Sequence, residues 1–243
     1  MHNAPHNEPL SRLWLLAIPL AFPMLMTVPI FLAARLERRA SRPYQPVGDH
    51  TALDIGQYAA SMSRALLARN FAPKSAGVQI SKAVRAQLVC WLSPDCLTCA
   101  VVGEAKVLNI PQQRTWLYSK LRDDRYVVTT DDSSWYDLSG LLHVSRYVGA
   151  TFERLYTFHQ SRVAKLSKYA SPSPWPADAS LETINDVLQR QRAMMVERRR
   201  AYYLDAQGQS WRYTSLGAAL YCGEYLKQLF TALASPRRYA IGR

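Results

Sequence analysis

Residues 84–130 read VRAQLVCWLSPDCLTCAVVGEAKVLNIPQQRTWLYSKLRDDRYVVTT. In the first nine, Val84, Ala86, Leu88, Cys90 and Leu92 alternate with Arg85, Gln87, Val89 and Trp91, the period of a strand. Ser93-Pro94-Asp95 is a turn signal, and Leu97 to Val102 reads as the return strand. A loop around Pro111 follows. Thr115 to Leu121 then reads as a third strand, Arg122-Asp123-Asp124-Arg125 as a turn, and Tyr126 to Thr130 as a fourth strand. Two successive hairpins predict a four-stranded antiparallel meander.

Outward from this core the period changes to that of helices. Before it, Ile55, Ala59, Met62 and Leu66 share one face of a helix that Thr51 can cap and that ends near Arg69. After it, Phe152, Leu155, Tyr156, His159, Val163 and Leu166 mark a helix from about 150 to 168. SPSPWPADAS, 171–180, reads as a proline-rich linker. Ser180 caps a long helix striped by Leu181, Ile184, Leu188, Met195 and Tyr202, and Trp211 to Tyr213 reads as a short strand. Ser215 opens a last helix that stops before Pro236. The predicted class is α+β: a helix, a four-stranded antiparallel meander and three further helices, all within 51–243.

The N-terminal region predicts a membrane anchor in front of this domain. From Leu13 to Ala34 no residue is charged, and 22 helical residues span roughly 33 Å, close to the hydrocarbon thickness of a bilayer. Pro19, Pro23 and Pro29 interrupt the run but are tolerated better in a membrane helix than in a water-exposed one. A cleavable signal peptide is the competing reading, opposed by the weakly basic segment before Leu13 and by Leu32 at the position where a small residue is expected. The organisation read from the sequence is a short tail (1–12), a single-pass transmembrane helix (13–34), a basic juxtamembrane linker (35–50) and the α+β domain (51–243). Arg35, Arg38, Arg39 and Arg42 follow the run, so the positive-inside rule places the C-terminal domain in the cytoplasm.

Composition excludes several classes. At 49% hydrophobic residues the chain is not a disordered polypeptide, and 10 Gly with 14 Pro and no period exclude a collagen-like one. Four cysteines in 243 residues do not make a disulfide scaffold. The net charge of +12 raises nucleic acid as a partner, but the basic residues are spread over 35–42, 190–200 and Arg237-Arg238. A nucleic-acid module concentrates them on one face. The lipid bilayer and its anionic headgroups are the expected partners instead, with an unidentified protein partner beside them.

Candidate sites are few. Cys96 and Cys99 form a CxxC with Cys90 nearby, but zinc needs a fourth ligand and only the distant Cys222 remains. Ordinary strand and turn cysteines are the simpler reading. Asp123-Asp124 and Asp131-Asp132 bracket the fourth strand, and turn chemistry explains them better than a cation does. His159 lies on an apolar helix stripe and is the one candidate general base, with a hydrogen-bonded core histidine as the plainer alternative. His143 falls in a predicted loop. No GxSxG, HExxH, P-loop or GxGxxG occurs, so neither a cofactor nor a catalytic residue is assigned.

Over 51–130 the order of one helix and then four antiparallel strands resembles that of cystatin-like and NTF2-like domains, which some bacterial secretion-channel scaffolds mount on a single membrane helix. The resemblance is of element order alone and implies a fold, not an activity. Those scaffolds hold the domain outside the inner membrane, opposite to the orientation read here. The leading functional expectation is a membrane-anchored binding or assembly module. The alternative is a membrane-tethered enzyme or small-ligand-binding domain with a pocket between sheet and helices near His159. A nucleic-acid binder is the third.

Overall fold

Strands 84–92 and 126–130 have apolar side chains on both faces, which requires cover on both sides of the sheet. The computed structural model, which describes residues 27–40, 43–48, 57–80, 84–107, 110–132, 136–176 and 180–234, supplies that cover. Residues 27–36 are helical (α1). They are followed by β1 (Arg39–Ala40), β2 (Gln45–Val47), α2 (Gln57–Ala68), β3 (Ala72–Ile80), β4 (Val84–Leu92), β5 (Cys99–Val107), β6 (Ile110–Leu121), β7 (Tyr126–Thr130) and β8 (Leu142–Arg146). Then come α3 (Phe152–Leu166), β9 (Pro172–Ser173), α4 (Ser180–Glu197), β10 (Ala201–Tyr203), β11 (Ser210–Tyr213) and α5 (Ser215–Ala234).

The large sheet runs β2-β3-β4-β5-β6-β7-β8, with β9 added to the end of β6. Every neighbouring pair is antiparallel except β7 and β8, which are parallel. On one face Leu88, Cys90, Val101, Tyr118, Tyr126 and Val128 pack under Leu181, Ile184 and Val187 of α4. On the other, Val89, Trp91, Ala100, Val102 and Leu117 pack under Met62 and Leu66 of α2 and Phe152 and Leu155 of α3. All five residues of β7 are buried. A second, three-stranded sheet, β1-β11-β10, forms a smaller core with α1 and α5, in which Ala34, Trp211, Tyr213 and Ala218 are buried.

Local chemistry explains the turns. Between β4 and β5, Asp95 Oδ1 accepts from Ser93 Oγ and from the Leu97 amide at 3.0 Å, and Ser93 Oγ accepts from the Thr98 amide at 2.9 Å. Between β6 and β7, Asp124 takes φ +62° and the Asp123 carboxylate receives the Arg125 Nε–H at 2.7 Å. A parallel partner for β7 requires a crossover, and 131–141 provides it. Its described part is held by Asp137, whose carboxylate accepts from the amides of Ser139, Gly140 and Leu142 and from Gln191 Nε2 of α4.

The expected fold class is corrected by this arrangement. The four expected strands are the middle of a larger mixed sheet, not a free-standing meander. β3 escaped notice because Pro73 and Gly77 break its alternation. Gly77 is needed there: a Cβ would lie 2.8 Å from a Leu181 methyl, so glycine lets α4 approach the sheet. β3 also stands between α2 and β4, so the helix is followed by five consecutive antiparallel strands, β3 to β7, and α4 covers the second face. Prolines 172–176 do not make a free spacer, since Pro172–Ser173 is β9 and Trp175 is buried beside Tyr118 and Tyr126.

The membrane reading is corrected as well. Among the described residues no helix is long and apolar enough to cross a membrane. The single-pass anchor and the cytoplasmic placement derived from it therefore fall. Residues 13–26 of the expected span lie outside the described residues. Its described end is two-sided: Phe31 and Ala34 pack into the smaller core while Val28, Leu32 and Leu36 are exposed. The expected linker 35–50 contains β1 and β2, which pair with β11 and β3.

Two glycines of α5 separate packing from propensity. A Cβ at Gly217 would stand 1.8 Å from the Arg200 carbonyl oxygen, whereas at Gly223 it would meet nothing within 4 Å. Gly217→Ala is expected to lower unfolding free energy by about 2 kcal/mol or more. Gly223→Ala is expected to raise it by about 0.5–1 kcal/mol. Urea unfolding of the two variants checks both signs.

Candidate functional site

His159 sits two turns into α3, on the stripe that faces the sheet, and is fully buried. Its Nε2 lies 2.9 Å from Ser119 Oγ of β6, and its Nδ1 lies 3.0 Å from Thr129 Oγ1 of β7. Ser119 has one hydroxyl proton and donates it to the Leu97 carbonyl at 2.8 Å. Nε2 must then carry the ring proton and donate it to Ser119, and Nδ1 accepts from Thr129. The pair is thus the reverse of a Ser–His nucleophile, in which the imidazole takes the serine proton. Burial pushes the His159 pKa down to about 3, so the ring stays neutral. Both ring nitrogens of His159 thus have hydrogen-bond partners inside the core.

The other expected positions are dispersed. Cys99 is buried in the α4-side core and Cys96 stands in the β4–β5 turn at φ +57°, both as thiols. Among the described residues no group of three or more His, Cys, Asp or Glu side chains could hold a metal ion. The aspartate pairs stay at opposite ends of β7: Asp123 binds Arg125, while Asp131 Oδ1 accepts from the Thr115 amide at 2.7 Å. His143 lies on β8, not in a loop. The expected topology arginines instead hold the smaller sheet. Arg35 donates to the Tyr202 hydroxyl at 2.9 Å, Arg38 to Ser210 Oγ at 3.0 Å, and the Arg39 guanidinium lies within 6 Å of the ring centres of Trp211, Tyr213 and Tyr221. Arg42 lies outside the described residues.

The site that the sequence reading did not single out lies on the α4 side of the large sheet, across β4, β5 and β6. A cavity of about 240 Å³ opens there between Tyr44, Ala86, Gln87, Leu88, Gly103, Glu104, Ala105, Gln112, Arg114, Trp116 and Asp132. Register builds its floor: Leu88, Gly103 and Arg114 face one another across three strands, as do Ala86, Ala105 and Gln112. Small side chains leave the hollow. A Cβ on Gly103 would come within 3.0 Å of the Trp116 ring, so glycine lets the indole lie over the strand. Tyr44 walls the α4 side, fixed by a reciprocal pair of 2.9 Å bonds between its backbone and the Asn185 amide. Burial, and then the nearby Cys90, raise the Tyr44 pKa, which keeps its phenol neutral.

One ion pair belongs to the cavity lining. Arg114 Nε lies 3.3 Å from Asp132 Oδ1, Nη1 donates to the Gln113 carbonyl at 2.8 Å, and Nη2 donates to Gln112 Oε1 at 2.7 Å. The guanidinium is therefore held in one orientation, and its side chain is 28% exposed against 12% for Asp132. Glu104 and Gln87 line the cavity too, although strand alternation starts their side chains on the opposite face from Gly103 and Arg114. Two sequence signals pointed here: a lone glycine inside a strand, and an arginine two residues before the apolar stretch of β6.

The neutral His159 makes folding acid-sensitive with a definite sign. In the unfolded chain it binds a proton near pH 6.5, and in the folded chain only near 3. The unfolded state therefore takes up more protons in between, and stability falls as pH falls through that window, by about 2 kcal/mol from pH 7 to pH 5. His159→Gln is expected to flatten this slope in urea unfolding at the two pH values, even if it is less stable at pH 7; an unchanged slope contradicts the assignment. No family model, curated protein or solved structure matches this chain.

Proposed function

We propose that the chain is a small-ligand-binding module whose site is the cavity over β4, β5 and β6. The single observation behind this reading is the cavity itself, an apolar hollow on a buried sheet face with a small number of oriented polar groups at its edge. Its volume corresponds to about eight waters of liquid, room for a one-ring compound. Aromatic walls at Trp116 and Tyr44 and the small floor residues Gly103 and Ala105 suit a flat molecule. Binding is a better match than hydrolysis by Ser119 and His159, because those two groups are buried and their proton order is that of a structural bond.

The test uses toluene, phenol, indole and benzamide as one-ring probes, observed by saturation-transfer NMR on the full chain. Saturable binding of at least one is expected. Ala105→Trp, which sets an indole into the hollow, is expected to abolish it while the circular dichroism spectrum is retained. No saturable binding by any probe, or binding unchanged in Ala105→Trp, contradicts the reading.

A further inference from the structure

The polar edge of the cavity is more informative than its volume. Arg114 presents five N–H groups in a planar fork. Two of them serve the Gln113 carbonyl and Gln112 Oε1, and Nε faces Asp132. Those contacts lock the guanidinium without using all of its donors. Asp132 is the more buried partner, and its amide is itself tied to Thr130 Oγ1 at 3.0 Å, so the guanidinium is the part of the ion pair that meets an incoming ligand. Glu104 also lines the cavity, with its Cβ on the opposite face of the sheet by strand alternation, and Arg114 is the one cation among the described lining residues.

We propose that the cavity takes a small aromatic carboxylate, with its ring beside Trp116 and its carboxylate on the Arg114 fork. This inference rests on the cavity being a ligand site and adds the chemical class. A fixed arginine fork matches a carboxylate in a way a point charge does not, because two parallel N–H groups meet two oxygens. An ammonium ligand would meet the guanidinium first, and an uncharged amide would give up one charge-assisted bond.

The experiment is a calorimetric titration of the full chain with benzoate, benzamide and benzylammonium, three one-ring compounds of nearly equal size and different charge. Benzoate is expected to bind about tenfold or more tightly than benzamide, and benzylammonium more weakly than either. Arg114→Gln is expected to remove the preference for benzoate while leaving benzamide binding in place, and Arg114→Lys to restore only part of it. Benzamide or benzylammonium binding as tightly as benzoate, with both lost in Ala105→Trp, overturns the carboxylate inference and leaves the cavity reading standing. Failure of all three to bind overturns both. A benzoate preference that survives in Arg114→Gln also overturns the inference. If Arg114→Gln does not fold, the order of the three compounds on the unmodified chain decides alone.

Discussion

The structure depends on burying both faces of one sheet. β4 to β7 carry apolar side chains at successive positions, so neither face can be left to water. α2 and α3 cover one face and α4 the other. That need explains the close approach of Leu181 to Gly77, the return of the chain beside Leu121 through Pro172–Ser173, and the burial of Trp175 against two tyrosines. It also explains why a histidine inside the sheet–helix interface must be neutral and bonded at both nitrogens. A charged imidazole there would have no water and no carboxylate partner.

The cavity is where this cover ends. The apolar parts of β4, β5 and β6 lie under α4. Their extension, Ala86, Gly103, Ala105, Gln112 and Arg114, carries small and polar side chains instead. Asn185 holds Tyr44 at the boundary, so the edge of the covered region doubles as a wall of the hollow. A rigid strand array thus positions Arg114, Trp116 and Asp132 with little freedom, which is the condition for selective recognition.

Parts of this were legible and parts were not, for physical reasons. The period of β4 and the helical stripe of α3 are strong because apolar residues repeat at the right spacing over several pleats or turns, whereas the stripe expected on α4 runs too far, since Tyr202 lies on β10. β3 and β8 were missed: the first contains proline and glycine, and the second is five residues with a histidine, a serine and an arginine among them. The mixed stretch from Gly103 to Arg114 reads as a loop around Pro111, yet its described residues extend β5 and β6, and Gly103, Ala105, Gln112 and Arg114 line the cavity. The alternation breaks where this sheet face lines a cavity and is not covered by α4. The apolar run at the N-terminus misled in the other direction. Its described end packs Phe31 and Ala34 into the core of Trp211 and Tyr213 while the equally apolar Val28 and Leu32 are exposed, and the arginines after it bind the smaller sheet.

A crystal structure of the full chain grown with saturating benzoate tests the central claim most directly. The account predicts the ring over Gly103 beside Trp116, with both carboxylate oxygens within hydrogen-bonding distance of Arg114 and the Arg114–Asp132 pair intact. Benzoate seated elsewhere, or a cavity closed by rotation of Trp116 or Arg114 into it, would contradict the account.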